Sequence, residues 1–417
     1  MVAMSTMMPP KIPIGMADLP PELMDSIASY LPSECIISLR STNRYNYHTT
    51  IIQFASRYFT SIRTDLSFDS FNRLHNISKD PRFAPSVKAI RFTRKRPNNV
   101  GHGVLWPRTG AYHQIDLNCD AVCLLSEIIR CLENCTSFDF YQPQGPIRAF
   151  KEDLVIGDAA YIMMETLVSL NRRIDEFRVN LQCMSSGDSK FNLRALCRIP
   201  ERFSYMLFAQ GIRKLVLDFE IRCDHLADNI SEMLRWGTGL KSLTLIAQHG
   251  RLATELIKRT ISRAGMFRLK ELTLVGPPDI MFWIEPLRRE TISRFLSIHS
   301  RTLEKLTLRH LQLEDSLEWG YIVGKFGTNY PHLKQIYLGR LTGRDDDGET
   351  DRIHYQVIDW KDFTQLGAIK FYRDHGCSKT KLRTGAGQHA TGIFYEGPEL
   401  GKVMEDTKVL YFSYAGW

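Results

Sequence analysis

The sequence predicts an α/β fold in which an N-terminal group of three short helices precedes an array of alternating strands and helices. The main observation is a pattern, apolar-x-x-apolar-x-apolar, that recurs eight times with first residues 28–48 positions apart. In each unit the last two apolar residues alternate as the buried face of a strand does, and stretches with helical spacing lie between units. The eight units begin at Val87, Cys135, Ile174, Ile212, Leu240, Leu269, Leu303 and Leu333.

The first helix is expected to begin within the Leu-Pro-Pro-Glu-Leu sequence at residues 19–23. Proline suits the first turn of a helix because its missing N–H has no partner to lose there. Glu22 lies beside the positive end of the helix dipole. Leu23, Ile27 and Tyr30 follow at i, i+4 and i+7, so we expect one apolar face on this helix.

Two more helices complete the N-terminal group. Ser33 is placed to cap the second, and a third is expected from about Asn43 to Tyr58. Three helices this short cannot bury all their apolar side chains among themselves, so another part of the chain or a partner must cover the rest. One alternative is that these residues form only the core of the three-helix unit. DNA reading by a helix-turn-helix is less favoured, because the third helix offers only Arg44 and Arg57 as cations.

The stretch from Ala17 to Arg44 resembles an F-box. It has the family's Leu-Pro-x-Glu-Leu opening, Ile and Leu at later helical turns, and a Leu-Arg-x-x-Asn-Arg end. The residues that carry the resemblance are Leu19, Pro20, Glu22, Leu23, Ile27, Leu31, Leu39, Arg40, Asn43 and Arg44. The resemblance implies docking to the Skp-type adaptor and, through it, to a cullin. The residues that it assigns to this docking are Leu19, Pro20, Leu23, Ile27, Leu31, Ile36 and Leu39.

A strand around Ile62 and a helix over residues 68–77 are expected before the repeated units. The repetition looks like leucine-rich repeats of an irregular kind, a family that forms a βα solenoid. Repeats of that family typically span ~20–29 residues, so the longer units here are expected to carry inserted loops or longer helices. The alternative is a doubly wound sheet, whose buried strands are apolar almost throughout. Lys241 and Lys270 lie within strand patterns and favour a sheet with one solvated face.

Residues 341–417 break the repeat and are expected to cap the last apolar edge of the array. Strands are predicted over residues 353–360 and 409–412, a helix over 362–373, and a flexible segment over 376–392 that is rich in Gly, Ser and Thr. The predicted division of the chain is a disordered leader at 1–16, the F-box at 17–62, the repeat array at 63–340 and the cap at 341–417.

The solvated face of the array is the second candidate binding surface. Residues that flank the buried pair of each strand should point away from the core, and solenoids typically bind partners on such a face. These residues are mixed in charge and include aromatic rings, which suits a protein target rather than a phosphate backbone; the simpler interpretation is that they are only polar surface. The candidate target-binding residues are Arg91, Asp139, Tyr141, Arg178, Asp218, Thr244, Thr273, Thr307, Arg309 and Tyr337.

The composition is that of an ordinary globular protein, with 43% hydrophobic and 24% charged residues in 417. A net charge of +8 is mild for this length and does not by itself indicate nucleic acid. No run of 18 apolar residues predicts a membrane span, and residues 1–16 lack the apolar core of a secretory signal. Nine Cys without such a signal favour free thiols. The expected location is the cytoplasm, the nucleus or both.

Metal binding and catalysis find little support. Cys119, Cys123, Cys131 and Cys135 are too widely spaced for tight zinc knuckles, and the apolar residues between them predict a helix with buried free Cys. No nucleophile elbow is present, and the glycines at 385–392 lack the Lys-Ser/Thr of a phosphate loop. The basic run at 94–96 is expected to be a solvated loop. We expect no metal and no cofactor.

The predicted function is a non-catalytic substrate receptor of an SCF-type cullin-RING ubiquitin ligase. In that hypothesis the F-box binds the adaptor, the array binds a protein target, and other subunits transfer the ubiquitin. Two rivals stay open. One is an F-box scaffold that works with the adaptor alone; the other is an enzyme with a site near His354, His375 and His389.

Overall fold

The computed structural model describes residues 16–93, 100–109, 114–142, 154–181, 203–219, 224–247, 251–263, 267–277, 286–344, 350–357, 370–375, 378–381, 392–397, 400, 404 and 407–412. The predicted leader therefore lies almost wholly outside the described residues, as does the basic run at 94–96.

Helices and strands alternate along most of the described chain. The helices are α1 (Pro21–Tyr30), α2 (Ser33–Thr42), α3 (Arg44–Thr49), α4 (Ile51–Tyr58), α5 (Phe68–Lys79), α6 (Asp120–Cys131), α7 (Ile156–Ser169), α8 (Phe203–Gly211), α9 (Asp224–Trp236), α10 (Arg251–Arg263), α11 (Arg289–His299) and α12 (Glu318–Asn329). The strands are β1 (Ser61–Thr64), β2 (Ala89–Thr93), β3 (Arg108–Thr109), β4 (Gln114–Ile115), β5 (Ser137–Gln142), β6 (Glu176–Leu181), β7 (Lys214–Phe219), β8 (Ser242–Ala247), β9 (Glu271–Val275), β10 (Lys305–Arg309), β11 (Gln335–Gly339), β12 (Thr342–Arg344), β13 (Thr350–Val357), β14 (Lys370–His375), β15 (Ser378–Lys381), β16 (Gly392–Glu396) and β17 (Thr407–Phe412).

The N-terminal helices differ from the prediction in two details. The expected third helix is two helices, α3 and α4, because the backbone leaves helical geometry at Thr50 (φ −96°, ψ 11°). Asn43 caps α3, where its side chain accepts a hydrogen bond from the Asn46 backbone N–H at 2.7 Å. Ser33 is the first residue of α2 and makes no side-chain cap; Pro32 holds the capping position.

The eight repeated units coincide with eight parallel strands, so the predicted strand positions are confirmed. β1, β2 and β5 to β11 pair in chain order, and the expected strand around Ile62 is β1. The two buried positions of each unit are in register from strand to strand and form two apolar rows. The rows are Ile90, Phe138, Phe177, Leu215, Leu243, Leu272, Leu306 and Ile336, and Phe92, Phe140, Val179, Leu217, Leu245, Leu274, Leu308 and Leu338.

Helices α5 to α12 form a layer in which each helix packs against the next. The order of the parallel strands in space follows their order in the chain, apart from the separate β3–β4 hairpin. A doubly wound sheet reverses its strand order at a switch point, and these strands do not. The result is an α/β structure with a mostly parallel sheet that grows in one direction.

The C-terminal segment extends this sheet beyond its last parallel strand. β16 pairs antiparallel with β11, and β14 and β15 follow it, while β12, β13 and β17 form a small sheet of their own. The helix predicted over 362–373 is wrong where it is described, because residues 370–373 belong to β14. Antiparallel pairing with β16 and β15 decides the conformation there. Residues 378–381 of the predicted flexible segment form β15.

Candidate functional site

The first candidate surface is the face of α1 that turns away from the core of the helical group. Met24 and Ala28 are fully buried, whereas Leu23 is 52% and Ile27 37% exposed. The neighbouring Tyr30 is 87% exposed. Two apolar side chains at helical spacing thus lie open on the same side of α1, which is costly in water and suits a partner's groove. We call the exposed side chains of Leu23 and Ile27, with Pro20 beside them, the α1 face.

The other predicted docking residues lie at different depths. Leu19, Leu31 and Leu39 are half-buried. Ile36 is 0% exposed, so its assignment to a docking surface is corrected: it belongs to the core of the helical group. On α2 the buried residues are Ile36 and Arg40, one turn apart, and the adjacent Ile37 is the exposed one.

Two arginines hold the helical group together, and their roles were not predicted. The Arg40 guanidinium lies 4.1 Å from the ring centroids of both Tyr47 and Phe54, and it donates to the Tyr47 carbonyl at 2.8 Å. Burial lowers the pKa of Arg40, and the contact with Tyr47 opposes that shift. Arg57 on α4 donates to the carbonyls of Ser29 and Leu31 at the end of α1. The position of α1, and hence of its exposed face, depends on these contacts.

The second candidate surface is the sheet face whose side chains alternate with the two buried rows. We call it the open face, and its residues lie in three rows that cross the strands in register. The first row is Ala89, Ser137, Glu176, Lys214, Ser242, Glu271, Lys305 and Gln335; the middle row is Arg63, Arg91, Asp139, Arg178, Val216, Thr244, Thr273, Thr307 and Tyr337; the last row is Thr93, Tyr141, Asn180, Asp218, Ile246, Val275, Arg309 and Gly339. All ten predicted target-binding residues therefore share the middle and last rows.

Two of these ten residues are buried, and the expectation that they are accessible to a target is corrected. Tyr337 is 6% exposed because β16 adds Phe394 beside it and the Arg309 guanidinium lies 5.3 Å from its ring centroid. Asp218 is buried as well. Alternation along a strand assigns a side chain to a face but does not reveal what covers that face. Arg91 and Tyr141 are exposed, and the others are half-buried.

Charges in the first row are paired across neighbouring strands. Glu176 accepts from Lys214 at 3.2 Å and from Arg178 at 2.7 Å, and Glu271 accepts from Lys305 at 3.0 Å. Partial burial would raise the pKa of Glu176, but the hydrogen bonds from Arg178 and Lys214 outweigh it and hold that pKa below its ordinary value. These pairs balance the charges of the first row.

Asp139 in the middle row has a different environment. Burial raises the pKa of Asp139, although Arg178 and Arg91 on the two flanking strands partly offset the shift. Its Oδ1 atom is buried and accepts no hydrogen bond from the described residues. Asp139 thus sits between two cations without a short hydrogen bond to either.

The Cys and His residues that were considered for metal binding and catalysis lie on several different elements. Cys119, Cys123 and Cys131 line α6 or its start, and burial raises the pKa of Cys135 to about 12. No cluster of three or more His, Cys, Asp or Glu suited to a metal occurs in the described part of the chain. His354 lies in β13 and His375 in β14, in different sheets, and His389 lies outside the described residues.

A groove that the sequence did not indicate lies between α5 and the Phe59–Phe83 pair. Its volume is about 560 Å³, and the two rings stack with centroids 4.5 Å apart. The α5 side contributes Asp69, Asn72, Arg73, Asn76 and Ile77.

Among the described helices, none combines the length and apolarity that crossing a bilayer requires. Comparison with protein-family models and with curated proteins gave no match.

Proposed function

We propose that this chain is an F-box protein of the fungal type with irregular leucine-rich repeats, and that it serves as a substrate receptor of an SCF-type ubiquitin ligase. In this proposal α1–α4 are the F-box and bind the Skp-type adaptor, which connects the chain to a cullin. The strands and helices from β1 to β11 are the repeat array and hold a protein target.

The observation that carries the proposal is the exposure of Leu23 and Ile27 on a helix that begins with Leu-Pro-Pro-Glu-Leu. Both residues belong to the F-box resemblance, and both leave apolar surface uncovered while the adjacent Met24 and Ala28 fill the core. An exposed apolar helix face fits the helix-in-groove mode of recognition, and Leu19, Leu31 and Leu39 are half-buried and keep part of their apolar surface accessible. Anchors of that kind typically contribute ~2 kcal/mol or more each.

The chain's part in ubiquitin transfer would be positioning. A target held on the open face brings its lysines near the ubiquitin-charged enzyme that the cullin recruits, which raises their effective concentration. No side chain of this chain takes part in bond making in this scheme. The order of the sheet supports this division of roles. The proposed adaptor-binding helices connect to β1, the first strand, and the open face continues across the later strands, where a target can bind.

Co-purification with a recombinant Skp-type adaptor tests the proposal. We expect the double variant Leu23→Ala, Ile27→Ala to weaken adaptor binding by at least about tenfold, since two interface anchors are removed. The matched control is Ser29→Ala, an exposed residue on the same helix that should bind like the wild type. Both proteins should unfold at nearly the wild-type temperature because the substituted side chains are exposed.

Unchanged adaptor binding by the double variant would contradict the docking assignment. Adding the cullin to the same experiment separates the receptor from a scaffold that works with the adaptor alone. A ternary complex supports the ligase role, and an adaptor complex that excludes the cullin supports the scaffold.

A further inference from the structure

Two arginines lie side by side at the β1–β2 end of the open face. Arg63 on β1 and Arg91 on β2 are partners in register, both are exposed, and neither forms an ion pair with a described residue. Their Cα atoms are separated by one strand spacing, about 4.8 Å. Like charges placed directly opposite each other on a sheet are destabilising, so this arrangement has a cost that an opposite charge would remove.

The remainder of the open face avoids this cost. Glu176 is paired with Lys214, and Glu271 with Lys305, each across neighbouring strands. Ser137 also donates to Glu176 at 3.1 Å, and Ser242 to Glu271 at 3.0 Å. The charged residues of the first row are therefore paired with one another. At the β1–β2 end of the middle row, Arg63 and Arg91 form no such pair with a described residue. Departures from local pairing of this kind are expected at functional sites.

Among the described residues, no nearby carboxylate forms an ion pair with either arginine. Asp139 lies between Arg91 and Arg178 and forms an ion pair with neither. Asp65, the next carboxylate after β1, is buried and accepts hydrogen bonds from the hydroxyls of Ser67 at 2.6 Å and Ser70 at 2.5 Å. Glu176 is shared between Arg178 and Lys214 of β7. From β1 to β6 the open face therefore carries three arginines and two carboxylates, a surplus of one positive charge.

We propose that the β1–β6 end of the open face is the docking site for an acidic segment of a protein target, with Arg63 and Arg91 as its principal anion-binding side chains. Charge complementarity favours an acidic ligand, because this end of the face has a positive surplus and the exposed Arg63 and Arg91 are adjacent. Arginine suits the task since its planar group can bind a carboxylate through two parallel hydrogen bonds. The exposed Tyr141 offers an aromatic contact on the next strand.

Protein is favoured over nucleic acid by the rest of the same surface. Asp139 and Glu176 lie within the cationic patch and would repel a continuous phosphate backbone. Beyond β6 the middle row continues as Val216, Thr244 and Thr273, and these β-branched residues can contact apolar or hydroxyl side chains. The distance from β1 to β6 is three strand spacings, about 14 Å, which an extended peptide covers with roughly four residues. The fitting segment has a short acidic run followed by small apolar residues.

This inference takes from the proposed function only that the open face binds a protein. The test uses the full chain and a fluorescein-labelled peptide with four consecutive glutamates followed by alternating threonine and valine. Fluorescence anisotropy at low and at physiological salt reports binding. We expect affinity that falls as salt screens the charges, and no binding by the same peptide with lysines in place of glutamates.

Two double variants of equal charge locate the site. Arg63→Ala with Arg91→Ala should weaken binding of the acidic peptide at least about tenfold, whereas Arg294→Ala with Arg301→Ala should leave it unchanged. The control pair is also exposed but lies on and just after α11, in the helical layer. Equal losses in both pairs, equal binding of the lysine peptide, or tighter binding of a single-stranded oligonucleotide of similar charge would overturn the proposal.

The two proposals fail separately. Leu23→Ala with Ile27→Ala should bind the acidic peptide like the wild type, and Arg63→Ala with Arg91→Ala should bind the adaptor like the wild type. A chain that binds the acidic peptide but no adaptor keeps the open-face site and loses the ligase role. If the chain binds the adaptor but its binding of the acidic peptide is unchanged when Arg63 and Arg91 are replaced, the adaptor-docking proposal stands and the open-face site is rejected.

Discussion

His299 shows how one buried side chain connects core packing to pH. Its ring is fully buried, stacks on Phe267 with centroids 5.5 Å apart, and meets the edge of Phe295 at 4.9 Å. Nδ1 accepts the Leu269 backbone N–H at 3.4 Å. Burial, with a smaller effect of Arg268, lowers the pKa of His299 to about 4. The ring is therefore neutral in the folded protein at neutral pH.

This low pKa predicts a loss of stability in acid. The unfolded chain takes up the proton near the ordinary value of about 6.5, and the folded chain only near 4. The contribution of His299 is thus fully present above pH 6.5 and is lost as the pH falls toward 4, at roughly 1.4 kcal/mol per pH unit. Denaturant unfolding across this range should show a flatter pH profile for His299→Phe, which keeps an aromatic ring and cannot titrate. Parallel profiles for the two proteins would contradict this account.

The exposure of single residues could be predicted from the sequence in some cases and not in others. The exposed positions of Leu23 and Ile27 follow from helical spacing, because the motif places them on one face. The burial of Ile36 rather than Ile37 does not, since it depends on how α2 rotates against α4. Arg40 was part of a motif in the sequence, but its position between the Tyr47 and Phe54 rings is a tertiary contact without a local signal.

At the scale of elements, the contact between α4 and the end of α1 is the one that supports the α1 face. The last carbonyls of a helix lack intrahelical donors, and the positive guanidinium of Arg57 satisfies those of Ser29 and Leu31. It also lies at the negative end of the helix dipole. A planar group that reaches two carbonyls at once cannot be replaced by a single ammonium.

We therefore expect Arg57→Ala to destabilise the helical group by about 1.5–3 kcal/mol, the range for hydrogen bonds to a charged group. Arg57→Lys should recover only part of that loss. Hydrogen exchange of the backbone amides of α1 is the measurement, with α11 as the internal reference because it lies far along the helical layer. Full recovery by lysine would show that charge alone, and not the two-carbonyl geometry, holds α1.

Some elements can be predicted from their local sequence, and others form only through contacts with residues distant in the sequence. The eight strands were predictable because each has two alternating apolar residues, and the chain repeats that requirement at every unit. The break at Thr50 and the strand β14 were not. Both depend on partners distant in sequence: α3 and α4 pack separately against α1 and α2, and β14 forms only by pairing with β15 and β16.

On the scale of the whole molecule, two open surfaces belong to different structural layers. The α1 face belongs to the helices that precede β1 in the chain, and the open face crosses the strands from β1 to β11. Their chemistry differs as well, since one is apolar and the other is polar with a cationic end. The proposed receptor requires two separate binding surfaces, and these two surfaces meet that requirement.

A parallel sheet that grows in one direction has two edges, and the C-terminal segment covers the later one. β16 pairs with β11 from Gln335 to Gly339, and Trp319 of α12 donates to the Thr342 carbonyl at 2.8 Å. An uncovered edge strand presents unpaired N–H and C=O groups to other chains. The segment therefore occupies the edge of β11 at which another chain could otherwise pair.

Deletion of residues 341–417 should thus cause concentration-dependent association through β11. Light scattering coupled to size exclusion is the measurement, and the expected result is a monomer for the full chain and larger species for the shortened one. Adding Tyr337→Lys to the shortened chain is the matched control, because a lysine on the exposed edge strand opposes strand pairing and should restore the monomer. A shortened chain that stays monomeric at the same concentrations, with cooperative unfolding retained, would show that β11 does not need its cover.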